Sequence, residues 1–387
     1  MRFVPPHQSL ASALCALALL VASAAMTSCA VNPVPTPISS GATAGESTAT
    51  ANDAAAASDT TTADETGAAA DGTTAADGTT AGADTSSTDS GPLDGSASDT
   101  PWVPSDASSA CPIPTSAGHH QAVCEGLTFD VHIPPACVAA KCGLILDVHG
   151  MTMSAQMQDH NTNMRKLGEN HGYVVVQPNA PPAPPASSWI PIDHDAIILA
   201  FMIYATDKLK IDGKRVHAMG FSQGGWMTWR LAYQMPFAFA SIAPGAACKP
   251  KVGASGWPFD DAPIPKKPVP TLYMHGTKDV LQSFECAKEQ VQATVSAWQL
   301  KEVGTVSKSD KHVWTRYQAP DGTEFEFIQH DYAASSFLLQ GHCYPGSTDL
   351  QASVPGQIAG FGCTGTNAFS WGEAAMQFFI KHPKAGQ

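Results

Sequence analysis

Apolar positions are spaced very differently in the two parts of this 387-residue chain. From about Cys111 onward, short apolar or alternating runs are interleaved with longer amphipathic ones, which predicts an α/β domain. The runs predicted as strands are 126–134 (an edge strand), 143–148, 173–176, 215–219, 238–243, 271–274, 313–317, 324–328 and 337–340. The runs predicted as helices are 163–170, 195–209, 226–231, 284–300 and 371–380. Because buried strands are each followed by a helix, we expect a mostly parallel, doubly wound sheet.

Residues 1–28 have the pattern of a secretory signal of the lipoprotein type. Arg2 precedes an apolar run over about 10–25, and small residues follow, which is the order of a cleaved leader. The run ends directly before Cys29 in a pattern that resembles a bacterial lipobox, in which the cysteine becomes the acylated first residue. Plain cleavage after residues 22–25 is the alternative.

Residues 29–100 predict a disordered linker. They are mostly Ala, Thr, Gly, Ser and Asp, with nine Asp, two Glu and no Lys or Arg. This segment therefore carries −11 of the net charge of −13, Arg2 adds one positive charge, and about −3 is left for residues 101–387. Such a composition cannot bury enough apolar surface to offset the entropy of ordering. The acidity thus belongs to a tether, and residues 101–387 form the single folded domain.

Ten cysteines are present, and eight remain when Cys15 in the signal and Cys29 are set aside. An even number in an exported domain favours disulfides. No pair has the spacing of zinc ligands, so no metal site is expected. Proximity in sequence alone suggests Cys137 with Cys142, and Cys343 with Cys363.

Residues 215–230, RVHAMGFSQGGWMTWR, contain G-x-S-x-G between a predicted strand and a predicted helix. That context predicts a nucleophile elbow, in which a strained turn exposes the hydroxyl of Ser222. The flanking Gly220 and Gly224 leave room for the strand and the helix to approach closely. Backbone N–H groups at the start of the helix would point towards the hydroxyl.

A serine nucleophile needs a base, and the base needs a carboxylate that orients it. In a sheet that carries a nucleophile elbow, the triad residues come along the chain in the order Ser, then Asp or Glu, then His, each after a strand. His342 follows the predicted strand 337–340 and is our candidate base. The patterns predict surface positions for His312 and His382, whereas for His330, beside Asp331, a local ion pair fits about as well as a catalytic role.

Asp279 is the candidate carboxylate, because it follows the buried strand 271–274 through a tight turn at Gly276; Asp331 is the reserve candidate. An oxyanion hole needs backbone N–H groups. Gln223, the residue after the nucleophile, would supply one, and Met151, after strand 143–148, would supply the other.

Four segments together resemble the secreted polyhydroxybutyrate depolymerase and feruloyl esterase group of α/β hydrolases, over about 124–383. They are LILDVHGMT (144–152), MGFSQGGWMTWRLA (219–232), HGTKD (275–279) and GHCYPG (341–346). The resemblance implies an α/β-hydrolase fold and a triad of Ser222, Asp279 and His342. It also suggests substrate contacts at Trp189 and Trp226, for which core packing is the alternative. Met151 departs from the group, many members of which have cysteine or glycine after His-Gly.

The sequence therefore predicts a serine ester hydrolase that acts outside the cytoplasm, with no cofactor, no metal and no nucleic-acid partner. Expected substrates are feruloyl or acetyl esters of polysaccharide, or polyhydroxyalkanoate esters, and the membrane would be reached only through the lipid anchor. A serine peptidase or thioesterase with the same triad is one alternative. A non-catalytic surface binding protein on the same fold is another.

Overall fold

The computed structural model describes residues 111–181, 187–189, 193–248, 264–347 and 360–384. The predicted signal, Cys29 with its predicted acylation and the predicted linker lie outside the described residues. Within those ranges, no helix has both the length and the apolar character needed to cross a bilayer.

The described residues form ten strands and seven helices. The strands are β1 Gly118–Cys124, β2 Leu127–Ile133, β3 Gly143–Val148, β4 Tyr173–Asn179, β5 Val216–Phe221, β6 Ser241–Gly245, β7 Thr271–Gly276, β8 Lys301–Lys308, β9 His312–Gln318 and β10 Glu324–His330. The helices are α1 Pro135–Ala139, α2 Ala155–Thr162, α3 Met164–His171, α4 Asp193–Lys208, α5 Gln223–Gln234, α6 Phe284–Ala297 and α7 Trp371–Lys381.

These strands form one sheet in the order β1-β2-β4-β3-β5-β6-β7-β10-β9-β8. The six central strands, from β4 to β10 in that order, run parallel. The other four pair antiparallel at the two margins. The predicted mostly parallel α/β sheet is therefore confirmed, and its central strands bring their carboxyl ends to one edge, where open α/β sheets place their sites.

Helices cover both faces of this sheet. Successive residues of a strand point to opposite faces, so Leu144 and Leu146 of β3 lie in one core while Ile145 lies in the other. The first core also contains side chains of α4, α5 and α6, and the second contains side chains of α2, α3 and α7. Full burial of one such aliphatic side chain contributes about 1.5–3 kcal/mol. The doubly wound arrangement thus follows from the continuous apolar runs of the central strands.

Five elements differ from the predictions at the sheet margins and in the helices, and two of them, β1 and α1, lie where no strand or helix was predicted. β2 is not an edge strand, because β1 pairs outside it. β8 was not predicted, and all eight of its residues are exposed, so it has no apolar face to signal a strand. Helix α2 was not predicted either, because its sequence AQMQDHNT has no apolar stripe. Its ends are marked instead by Ser154, whose Oγ accepts from Met157 N–H, and by the left-handed Asn163.

The predicted strand 337–340 is wrong. This segment is a turn in which the N–H groups of Leu339 and Gln340 both donate to Ser336 O. Phe337 is 75% exposed, so its apolar side chain does not mark a buried strand. The last parallel strand is β10, which ends at His330, and the chain reaches His342 through loop structure.

Candidate active site

Ser222 lies at the sharp turn between β5 and α5. Its backbone has φ 55° and ψ −120°, a conformation that a non-glycine residue keeps only where the surroundings enforce it. The N–H of Ser222 donates to Gly245 O at 2.9 Å, which fixes the turn against β6. A Cβ on Gly220 would lie 2.3 Å from Gly224 O, and a Cβ on Gly224 would lie 2.0 Å from Val148 O. Only glycine fits at these two positions.

Asp279 and His342 form a buried hydrogen-bonded pair. Nδ1 of His342 lies 2.7 Å from Oδ2 of Asp279, and both side chains are almost completely buried. Oδ1 of Asp279 accepts from the N–H groups of Leu281, at 2.9 Å, and Gln282, at 2.8 Å. Burial acts to raise the pKa of the Asp279 carboxyl, but the charge and hydrogen bond of His342 outweigh it and hold the pKa below its usual range. The ionised carboxylate only accepts, so His342 donates from Nδ1 and leaves Nε2 for another partner.

The His342 loop is fixed to the Asp279 loop by backbone contacts. Asp279 and Gln340 form an isolated antiparallel bridge, and the N–H of Gly341 donates to Lys278 O at 3.0 Å. A Cβ on Gly276 would lie 2.1 Å from Gly341 O. These contacts, rather than a preceding strand, bring His342 to Asp279. The sequence predicted the two residues of the pair but not the backbone contacts that place them together.

The His342 ring also lies against the elbow. Its centroid is 4.8 Å from the centroid of Phe221, the residue before Ser222. Ser222, Asp279 and His342 therefore share the carboxyl edge of the parallel strands, in the chain order that the sequence predicted.

The loop after β3 passes directly beside Ser222, since a Cβ on Gly150 would lie 3.2 Å from Ser222 Cβ. His149 shapes this loop. Its Nε2 accepts from Ala180 N–H at 3.0 Å, so its Nδ1 carries the proton and donates to Gly150 O at 2.6 Å. Burial lowers the pKa of His149 to about 4, which keeps the ring neutral near neutral pH. Met151 follows and is half-buried.

The two tryptophans predicted as substrate contacts occupy different surroundings. Trp189 is 1% exposed, and its indole Nε1–H donates to His149 O at 2.8 Å. Its buried side chain supports the loop, which corresponds to the packing alternative. Trp226 is half-buried on α5, where its N–H donates to Ser222 O at 3.0 Å. A substrate contact at Trp226 stays a prediction.

The other candidates for base and acid have different partners. His312 is buried, not at the surface, and its ring nitrogens lie 2.9 and 2.8 Å from the hydroxyls of Ser307 and Ser309. His330 is 1% exposed, and its ring has no hydrogen bond to any described residue, so the expected ion pair is absent.

His382 is half-buried rather than fully solvated, and its ring nitrogens lie 2.8 Å from Phe378 O and 3.2 Å from a carboxylate oxygen of Glu324. Asp331, the reserve carboxylate, is partly exposed and pairs with Lys278 Nζ at 2.9 Å. None of these groups replaces the Asp279–His342 pair.

His275 supports the site and was not singled out from the sequence. It is fully buried, its Nδ1 accepts from Tyr273 Oη–H at 3.1 Å, and its Nε2–H donates to Gln282 O at 2.9 Å. Its Nε2 also lies 3.7 Å from Oδ2 of Asp279. The sequence does contain a sign of His275. The pair His275-Gly276 ends β7, just as the pair His149-Gly150 directly follows β3. The repeated His-Gly pair marks two loops that reach the same edge of the sheet.

The described residues contain four disulfides. Cys137–Cys142 and Cys343–Cys363 are the two predicted pairs, and both are present. Cys111–Cys124 and Cys248–Cys286 complete the set. Cys343 directly follows His342, so one bridge lies beside the candidate base. Within the described ranges, the one cluster with metal-ligand groups is Cys111, Cys124 and Glu125, and its two sulfurs are engaged in a disulfide.

The chain has relatives among esterases. A bifunctional acetylxylan esterase/xylanase from Neocallimastix patriciarum is 30% identical over 164 residues, which cover 42% of this chain and 23% of that protein. Feruloyl esterase B from Thermothelomyces thermophilus is 24% identical over 220 residues, which cover 47% of this chain and 75% of that protein. The chain is thus similar to the esterase group of α/β hydrolases. This confirms that part of the predicted resemblance.

Other comparisons add little to this similarity. No protein-family model matches the chain. The acetyl xylan esterase from Aspergillus awamori aligns with a TM-score of 0.46 and 14% identity, over 55% of this chain and 92% of that chain. The fold assignment rests on the strand order and the elbow rather than on this alignment. Since the chain covers only 23% of the first relative, the activity of that whole protein does not transfer directly.

Proposed function

We propose that the protein is a serine carboxylic-ester hydrolase with Ser222, His342 and Asp279 as its triad. The observation that carries the proposal is the buried pair of Asp279 and His342, 2.7 Å apart, beside a serine whose backbone has the conformation of a nucleophile elbow. The triad chemistry requires a base whose tautomer is fixed by a carboxylate, and this pair meets that requirement.

The proposed reaction passes through an acyl-enzyme. The Oγ of Ser222 attacks the ester carbonyl carbon while its proton passes to Nε2 of His342. Negative charge develops on the carbonyl oxygen and is stabilised by the N–H groups of Met151 and Gln223. His342 then gives the proton to the departing alkoxide, the C–O bond breaks, and the acyl group stays on Ser222. Water repeats the sequence and releases the carboxylic acid.

Proposed substrates are esters met outside the cytoplasm. The relatives named above are called acetylxylan esterase and feruloyl esterase, which favours acetyl or hydroxycinnamoyl esters of polysaccharide, and polyhydroxyalkanoate esters are a further candidate. Four disulfides fit an oxidising compartment, which supports export. Removal of residues 1–28 and anchoring through an acylated Cys29 are further parts of this proposal.

The test compares the full chain with Ser222→Ala on p-nitrophenyl acetate, methyl ferulate and a polyhydroxybutyrate film. Ser116→Ala, at an exposed serine, is the matched control. We expect wild type and the control to hydrolyse at least one ester and Ser222→Ala to be inactive. Equal inactivity of all three proteins on the whole panel would contradict the proposal and favour a binding protein.

Two parallel measurements separate the remaining alternatives. Peptide p-nitroanilides and acyl thioesters are tested beside the esters, and a higher kcat/KM on either would favour a peptidase or a thioesterase. A mass spectrum of the mature N-terminus distinguishes acylated Cys29 from plain cleavage after residues 22–25.

A further inference from the structure

Residues 187–189 connect the two backbone segments that would hold the oxyanion. On the β3 side, Trp189 Nε1–H donates to His149 O at 2.8 Å, and the N–H of Thr152 donates to Ser187 O at 2.9 Å. The three residues therefore hold the loop after β3 at both of its ends. We refer to residues 187–189 as the Trp189 clamp.

The same residues hold the elbow side. The backbone N–H of Trp189 donates to Gln223 Oε1 at 2.9 Å, and Gln223 Nε2 donates to Ser188 Oγ at 2.8 Å. Gln223 is 3% exposed, so its side-chain amide is shielded from water. The side chain of the residue after Ser222 is thus bound to the clamp, while its backbone N–H begins α5 and needs no acceptor within the helix.

Hydrogen bonds fix two consecutive peptide groups of the loop, and the clamp holds the first of them. His149 O accepts from Trp189, and the next carbonyl, Gly150 O, accepts from His149 Nδ1 at 2.6 Å and from Met153 N–H at 3.2 Å. In a planar trans peptide, the C=O and the following N–H point in opposite directions. The N–H of Met151 therefore points away from these bonds, and it donates to no described residue.

We propose that Trp189 is a positioning residue for the oxyanion hole. The inference rests on the proposed esterase function and goes beyond it. Trp189 sets the separation of the Met151 and Gln223 N–H groups. Its indole N–H binds the loop that carries Met151, and its backbone N–H binds the side chain of Gln223. An oxyanion hole works only if its donors are fixed before charge develops, so loss of the clamp should slow the chemical step more than it weakens substrate binding.

The experiment uses Trp189→Phe in the full chain, which keeps a buried aromatic ring and removes the Nε1–H donor. The matched control is Trp229→Phe. Trp229 is 3% exposed, and its Nε1 has no hydrogen bond to any described residue. Both variants make the same truncation of a buried ring, and they differ in the donor that is lost.

Three quantities are measured for each protein: kcat and KM on a p-nitrophenyl ester, the inhibition constant of an alkyl trifluoromethyl ketone, and the thermal unfolding midpoint. Addition of Ser222 to the ketone produces a tetrahedral oxyanion. Removal of an oxyanion donor costs about 10²–10³ in kcat, and displacement of a donor should cost less, about tenfold to a hundredfold. We expect Trp189→Phe to lower kcat and weaken the ketone by similar factors with KM within about twofold, and Trp229→Phe to change neither.

The inference is overturned if wild type is active and Trp189→Phe keeps kcat and ketone affinity within twofold of it, or if Trp229→Phe loses as much as Trp189→Phe. A wild type inactive on all esters would remove the proposed function and the inference with it. If Trp189→Phe does not fold, Gln223→Met answers the same question, because it keeps the backbone N–H and loses both side-chain bonds to the clamp. Its kcat should fall with KM changed little under conditions where the variant stays folded, and an unchanged kcat would overturn the inference.

Discussion

The ring of Tyr344 stacks on the ring of Phe221, with centroids 3.8 Å apart and an angle of 23° between the planes. Phe221 immediately precedes Ser222, and Tyr344 follows His342 by two residues. The hydroxyl of Tyr344 donates to Gln158 Oε1 at 2.5 Å, and Gln158 Nε2 donates to Asp147 Oδ1 at 2.6 Å. Tyr344 therefore packs against the elbow, belongs to the loop of the candidate base, and is held by a buried polar network of Gln158 and Asp147.

We predict that Tyr344→Phe destabilises the protein more than it changes the chemistry. The ring stays on Phe221, but Gln158 Oε1 loses its donor in the interior, and an unsatisfied buried polar atom costs about 1–3 kcal/mol. Urea unfolding should show this loss, with kcat changed by less than about tenfold. Tyr317→Phe is the control, because no described residue bonds the Tyr317 hydroxyl. Equal stability of Tyr344→Phe and wild type would contradict the assigned bond.

Replacement of Asp279 by Asn should abolish most of the activity. An amide at this position can donate to Nδ1 of His342 and stabilise the wrong tautomer, which would lower kcat by about four orders of magnitude if the triad acts as proposed. Asp331→Asn is the matched control, since Asp331 is partly exposed and bonds Lys278. Steady-state kinetics on a p-nitrophenyl ester decides between them. Similar rates for both variants would remove Asp279 from the triad.

Acidification should destabilise the fold between about pH 6.5 and 4. Burial lowers the pKa of His149 to about 4, and those of His217 and His330 to about 3. Below pH 6.5 the unfolded chain binds protons at these histidines and the folded chain does not, so stability falls as the pH falls. Burial raises the pKa of Asp147 to about 6, which gives the folded state one extra proton and opposes the trend.

Among these four groups, the unfolded state binds about two more protons near pH 5, and burial lowers the pKa of His275 in the same direction. The linkage relation then gives a loss of roughly 2–3 kcal/mol per pH unit. Urea unfolding at pH 7, 6, 5 and 4 measures it. A free energy of unfolding that stays constant or rises on acidification would show that these histidines are protonated in the fold.

The sequence identified the parts of the fold that have strong local patterns. The strand Gly143–Val148 was predicted with its observed bounds, because a short run of six apolar-rich residues between glycine and His-Gly has no good alternative. Both strands of the β9–β10 hairpin were predicted, because the runs 313–317 and 324–328 lie on either side of the turn residues Pro320, Asp321 and Gly322. β8 gave no such signal, since its pairing with β9, and not burial, makes it a strand.

The contacts that assemble the site depend on tertiary structure. His342 was selected because a strand was expected at 337–340, and that strand is absent; the bridge between Asp279 and Gln340 joins residues far apart in sequence. The resemblance suggests a substrate contact at Trp189, and a tryptophan in a sequence carries no sign of its partners. Its two hydrogen bonds connect residues 34 and 40 positions away, and no periodicity predicts them.

The disulfide beside His342 offers a last test of how the base is held. Cys343–Cys363 closes a loop with a sequence separation of 20, and backbone bonds between Tyr344 and both Phe361 and Cys363 lie directly next to it. Replacing both cysteines by serine should cost about 3 kcal/mol through the larger entropy of the unfolded chain. It should also lower kcat several-fold, because the segment that orients His342 loses a covalent restraint.

The double variant Cys137→Ser/Cys142→Ser is the matched control. Its bridge has a sequence separation of 5, so its removal should cost about 2 kcal/mol, and it joins α1 to the start of β3, at the opposite end of that strand from His149. We therefore expect both double variants to lose stability in urea unfolding, and only the pair at 343 and 363 to lose kcat under conditions where each protein stays folded. Equal loss of kcat in the two variants would mean that global stability, and not the orientation of His342, limits the activity.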